Sequence, residues 1–299
     1  MKMSEEYEDL LIERVGTEGR VARISINRPE VLNALRPQTF GELEEVLRDL
    51  EADDSTHVIV LRGSGRAFSV GYDIGGAAAT SSPHDPERIY DMKDEQGRPL
   101  LMNFATRLRQ ISDIQMYLFR MSKVTIAETH GFCLAGGMEL AMMADLLTTT
   151  TTCLFGHPGH RGIGVARNGM ILPLVVGMRK AKELFFTGDQ IDGLEAVRLG
   201  IANYAYEPEV VSEKTLQFAD RIANQSADYL ALLKEGANAF YENMGIEASV
   251  RSNTILDALA RGTRSGYQWR AKIETEGLKA ALAWRDGPYG DYSARPSER

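Results

Sequence analysis

Cysteine is scarce: the 299 residues hold two, Cys133 and Cys153, both in apolar surroundings. Two thiols cannot make a disulfide framework, so stability must come from a packed core, and a reducing, cytoplasmic compartment is expected. No stretch reaches the about 18 uninterrupted apolar residues that a membrane span needs, and the acidic start MKMSEEYEDLL has no apolar secretory segment. The chain is therefore expected to be soluble, with no membrane partner. Positive charge is also short, 34 Lys and Arg against 42 Asp and Glu, and no basic block stands out. A nucleic-acid partner is excluded on that ground, and an anionic ligand must be met by local basic groups. What the chain does have is apolar content, 43%, with 25% charged residues, enough for one large domain or a domain with an appendage.

Residues 20–27, RVARISIN, alternate with period two and set Ala22, Ile24 and Ile26 on one face, which predicts a strand. After Pro29 the period changes, with Phe40, Leu43, Leu47 and Leu50 at helical spacing. HVIVLRGSG and VTIAETHG are continuous β-branched runs, the pattern of strands buried on both faces, and LTTTTTCLFG is read as a third. This alternation implies an α/β core. From residue 179 helices dominate, at KAKELFF, LEAVRLG, 209–225, 227–243, 246–261 and 268–284, interrupted by a short strand candidate at IANYAYE. The expected division is a ligand-binding core over 1–206 and a helical region over 207–299 whose apolar faces pack on another subunit. Within the core, 77–121 reads as an insertion or flap beside a pocket, polar and Pro/Gly-punctuated to residue 99 and helical afterwards.

Two loops share one design. LRGSGRAFSVGYDIGG and ETHGFCLAGGMELAMM each leave a buried strand, pass through glycine and enter an expected helix start carrying an acid, Asp73 or Glu139. Backbone N–H groups at such turns have no partner inside the helix, and the dipole there favours negative charge. Two of them face to face would make a two-donor oxyanion hole. Taken singly, each is also an ordinary turn whose acid complements the helix dipole, and Asp73 and Asp145 are read in that structural way. No GxSxG elbow is present, nor the GK[ST] ending of a P-loop, nor the G-x-G-x-x-G of a dinucleotide fold.

ISINRPEVLNAL, AFSVGYDI, HGFCLAGGMELAMMADL, FGHPGHRGIG and FTGDQIDGLEAVRLGIAN follow one another in the order and spacing of the crotonase superfamily, the enoyl-CoA hydratase/isomerase-like proteins, which residues 10–206 resemble. The resemblance implies a crotonase-like spiral of ββα units with a C-terminal α-helical region that builds homotrimers or hexamers. It also implies an acyl-CoA thioester ligand and no separate cofactor, coenzyme A being part of the substrate. By motif position the two thioester donors are the N–H groups of Tyr72 and Gly136, and the Tyr72 ring narrows the acyl side of the pocket. The coenzyme A path is lined by Val31, Leu32, Ala67, Phe68 and Val70, with Arg28 and Arg66 as phosphate partners. Glu139 matches one of the family's two water-activating glutamates. The second motif, FGxPE, reads FGHPG here, so Gly159 stands where the other acid belongs. His157 and His160 are the substitutes at hand, followed by Arg161. A His-x-x-His metal pair on this Pro/Gly loop lacks further ligands nearby and is set aside. Three functions follow: an enoyl-CoA hydratase or isomerase working through Glu139, another thioester-enolate conversion such as C–C hydrolysis or decarboxylation with a loop histidine as base, or a non-catalytic acyl-CoA-binding protein.

Overall fold

The computed structural model describes residues 7–74, 95–96 and 100–290. Its strands are β1 (Leu10–Val15), β2 (Val21–Ile26), β3 (Val58–Gly63), β4 (Val124–Thr129), β5 (Phe132–Leu134), β6 (Leu146–Thr150), β7 (Leu154–Gly156), β8 (Gln190–Ile191) and β9 (Tyr204–Tyr206). The helices are α1 (Pro37–Glu51), α2 (Leu101–Arg120), α3 (Gly136–Ala141), α4 (Leu172–Val176), α5 (Met178–Thr187), α6 (Gly193–Arg198), α7 (Val211–Ala223), α8 (Ala227–Asn243), α9 (Ile246–Ala260) and α10 (Arg264–Asp286). Six strands form one sheet in the order β1-β2-β3-β4-β6-β9, and a smaller sheet runs β5-β7-β8. Only β1–β2 is antiparallel in the large sheet; its other neighbours pair in parallel, which requires helical crossovers such as α1 and α2. This is an α/β arrangement with helices gathered at the C-terminal end, as the resemblance implies.

The β3 run explains how the sheet is covered. Ile59 and Leu61 join the core under α1 and α2, while Val58 and Val60 face the opposite way into a second core with Ala219 and Ala223 of α7. A strand buried on both faces reads as an unbroken apolar run. On α1 the helical stripe of Phe40, Leu43, Leu47 and Leu50 is entirely buried. The tail shares these cores: α7 packs below the sheet, and on α9 Val250 and Ala258 are buried beside α2.

Several sequence expectations need correction. The threonine run is two strands, because Cys153 N–H bonds back to the Thr150 carbonyl at 3.1 Å, and the chain passes from the large sheet to the small one. Between the buried strand and the helix start of ETHGFCLAGGMELAMM the chain adds a short strand, β5, ahead of α3. The last helix starts at Arg264, four residues early, because Thr263 Oγ1 accepts the Gly266 N–H at 3.1 Å, and it kinks at Gly277. At residues 71–73 the chain is bridge-paired: Leu35 donates to the Gly71 carbonyl and accepts from Asp73, both at 2.8 Å, making a parallel bridge to Tyr72. The Asp73 carboxylate pairs with Arg28 at 3.0 Å, and the helix start expected after it falls outside the described residues. Of the expected flap, 77–94 and 97–99 lie outside the described residues, and 101–120 is the helix α2.

Candidate active site

The two glycine turns lie side by side. Ser69 N–H donates to the Phe132 carbonyl at 3.0 Å and Leu134 N–H returns to the Ser69 carbonyl at 2.9 Å, which splices the first turn onto β5. Two residues on, a Cβ at Gly71 would fall 2.9 Å from the Gly136 nitrogen, so the position needs glycine for space as well as for its φ of +99°. Gly136 opens α3, where its N–H has no partner one turn back. Ala135, just before it, sits at φ 47°, ψ −123°. Such backbone costs about 1–3 kcal/mol and gathers at functional sites. Fully buried Asn33 supports the first turn from behind, its amide donating to the carbonyls of Ser64 and Ala67 at 2.8 and 2.7 Å.

A cavity of about 440 Å³ opens in front of these turns, a size typical of small-ligand sites. Tyr72, Ala135, Glu139, His157, Gly159, Asp257, Leu278 and Leu282 are among the residues that line it. Glu139 is buried, and its carboxylate is crowded with donors. Arg167 N–H donates to Oε1 at 2.7 Å, the Arg167 Nη2 lies 3.4 Å from Oε2, the Tyr72 hydroxyl donates to Oε2, and His157 Nε2 stands 3.4 Å from Oε1. Burial works against the charge, but Arg167, His157 and Tyr72 outweigh it and hold the carboxyl at about 2. That answers why an acid sits in an apolar helix start: it is an ionised, fully engaged carboxylate.

The Tyr72 ring lies across the Cα of Gly136, where a Cβ would come 2.5 Å from ring carbon Cζ, and the Arg167 guanidinium covers it at 4.5 Å. Gln115 Nε2 reaches the Tyr72 hydroxyl at 3.4 Å and is aligned by Asn168 at 2.7 Å. Beside them Gly159 leaves room for His157, whose Cε1 would stand 2.9 Å from a Cβ there. His160 stacks on His157 at 4.3 Å on the side away from the cavity. Its Nε2 accepts the Ala166 N–H at 3.0 Å, and burial together with the neighbouring His157 pushes its imidazole down to about 2, so it is a neutral packing group. Arg161 is structural too: it ties Asp189 at 3.3 Å to Asp286 at 3.2 Å and fixes the end of α10.

The residues expected along a coenzyme A path fall in different surroundings. Val31, Leu32 and Val70 line the cavity. Ala67 and Phe68 are fully buried in the core instead, since their strand end is covered by the second turn. Arg28 is spent on Asp73 at 3.0 Å and the Ala34 carbonyl at 2.5 Å, and Arg66 is exposed outside the cavity lining. Sequence reasoning missed Asn33, Arg167 and Asp257, and none of the three falls in a glycine-marked turn. Among the described residues no group of three His, Cys, Asp or Glu could hold a metal ion, and no helix is long and apolar enough to cross a membrane.

Fold and site together define an α/β protein with a cavity in front of two strand-end turns. Residues 16–267 match the family described as "Enoyl-CoA hydratase/isomerase". Among similar proteins, a "Probable enoyl-CoA hydratase" of Rhizobium meliloti (strain 1021) is 33% identical over 79% of this chain and 83% of that protein. A "Crotonyl-CoA hydratase" of Syntrophomonas wolfei is 29% identical over 93% of this chain and 96% of that one. The crystal structure of an enoyl-CoA hydratase from Mycobacterium smegmatis superposes with a TM-score of 0.88 at 29% identity, covering 100% of both chains. The chain belongs to the enoyl-CoA hydratase/isomerase family, within the crotonase superfamily, and is an enzyme of that family.

Proposed function

We propose that the cavity binds an acyl-CoA thioester and that the N–H groups of Tyr72 and Gly136 hold its carbonyl oxygen as an enolate forms. The reaction is addition or removal of water across the 2,3-bond of an enoyl-CoA, or a shift of that double bond, with Glu139 as the acid/base on the cavity wall. The observation that carries this reading is the splice of the first turn onto β5, which sets Gly71 against the Gly136 nitrogen in front of Glu139. An oxyanion donor of this kind contributes about 10²–10³ in rate because it meets charge only as the enolate develops. The relatives named for enoyl-CoA and crotonyl-CoA hydration support the substrate class. Exposed Leu232, Leu233 and Phe240 on α8 support assembly into homotrimers or hexamers.

A second reading keeps the enolate and gives the base role to His157, because its ring borders the cavity in the space that Gly159 leaves open. Incubation with crotonyl-CoA and with longer and cyclic enoyl-CoAs, following loss of the conjugated enoyl absorbance, tests the first reading. Multiple turnovers are expected on at least one ester. Tight thioester binding with no turnover across the panel would contradict it.

A further inference from the structure

Gly159 removes one acid from the site, and the cavity carries another on a different element. Asp257 projects from α9 and is 18% exposed, on the cavity that Glu139 also borders. Its Oδ1 accepts the Val165 N–H at 2.9 Å, and its Oδ2 lies 3.7 Å from Arg167 Nε. The same guanidinium reaches Glu139 Oε2 through Nη2 at 3.4 Å, so one buried arginine stands between two carboxylates. Gly164 makes this approach possible, since a Cβ there would fall 2.4 Å from Asp257 Oδ1.

We propose that Asp257 is the second proton-transfer residue of this site, delivering a proton to C2 of the thioester enolate in place of the acid missing at residue 159. The proposal rests on the thioester reading above. Glu139 enters ionised and Asp257 protonated. Water bonds through its oxygen to C3 and passes its spare proton to Glu139, while the C2–C3 π pair moves towards the thioester oxygen. Asp257 then releases its proton to C2. The proton on Glu139 returns to Asp257 through water in the cavity, so both acids are restored and nothing is oxidised or reduced.

The surroundings of the two acids set them apart. Facing Asp257 are Arg167 from the segment before α4, Glu139 from α3 and Arg261 just past the end of α9, with His157 and Arg285 also lining the cavity. Burial pushes the Asp257 carboxyl up, helped by the Glu139 charge and opposed by Arg167 and Arg261. Glu139 is held at about 2 by the donors already named. A pair of acids driven in opposite directions divides into one that holds a proton and one that does not.

The test is Asp257→Asn, which keeps the acceptor for Val165 N–H. On crotonyl-CoA, kcat is expected to fall about 10²–10⁴-fold with KM unchanged, and the alkaline limb of the kcat profile should vanish, since that limb reports loss of the proton from the acid. Asp257→Glu should restore part of the rate. A variant with wild-type kcat, or with the alkaline limb intact, overturns the proposal. Infrared difference spectra of the ligand-free protein at neutral pH give an arm independent of turnover. A protonated-carboxyl band that Asp257→Asn removes is expected, and absence of such a band counts against the assignment. If the unmodified protein turns over no enoyl-CoA, the thioester reading falls, and the infrared result alone decides whether Asp257 holds the proton.

Discussion

Two of the buried ion-pair clusters that join the C-terminal helices to the rest of the fold differ in what lies beside them. At one, Lys234 of α8 meets Asp145 at 2.8 Å, while Thr125 N–H and hydroxyl donate to the same carboxylate at 2.7 and 2.9 Å. The ammonium also donates to the carbonyls of Leu118 and Lys123, at 3.3 and 2.9 Å, so the whole cluster is satisfied by protein. At the other, Arg167 spans Glu139 and Asp257, and both acids face the cavity. Burial pushes the carboxyls of Asp145 and Asp257 up alike, against a neighbouring cation in each case. Burial and a perturbed proton affinity are therefore common to both clusters. Access to a space that a ligand can enter separates them.

The sharpest contrast is expected in turnover. Glu139→Gln should lower kcat on crotonyl-CoA by about 10²–10⁴, whereas Asp145→Asn should leave the rate per folded molecule unchanged. Equal losses in the two variants would erase the distinction. Next comes stability: Lys234→Met leaves Asp145 buried without its cation and should remove about 3–5 kcal/mol in urea unfolding, with turnover by the remaining folded protein unaltered.

Acid titration separates Glu139 from Asp145 by sign. Glu139 is held at about 2 in the folded chain against 4.5 as its ordinary value. Its contribution to stability is thus present above about pH 4.5 and is lost as pH falls towards 2. Glu139→Gln should flatten the unfolding free energy across that window. Asp145, pushed up by burial, contributes with the opposite sign and favours the fold more once protonated. The smallest effect is expected at His160, which stacks behind the cavity. His160→Phe keeps the ring contact and loses one acceptor for Ala166 N–H, for about 1 kcal/mol in thermal unfolding and a near-normal rate.

Legibility followed the same divide. β3, β4 and the stripe of α1 could be read because burial on both faces, or along one helical face, leaves a periodic record in neighbouring residues. The two turns were legible through Gly71 and Gly136, whose spacing marks where backbones approach. Asp257 could not be found that way: it meets Val165 across 92 residues, and on α9 it reads as one more polar position of an amphipathic helix. The threonine run failed for a related reason. It was decided by a backbone hydrogen bond, Cys153 to Thr150, which side-chain pattern does not record.

The central claim, that two backbone N–H groups from separate turns grip one thioester carbonyl, is tested most directly by the infrared stretch of that carbonyl. Crotonyl-CoA carrying ¹³C at the thioester carbon should show its isotope-sensitive band moved to lower frequency on binding, as polarisation lengthens the C=O bond. A bound ester whose carbonyl absorbs where it does in water would contradict the account.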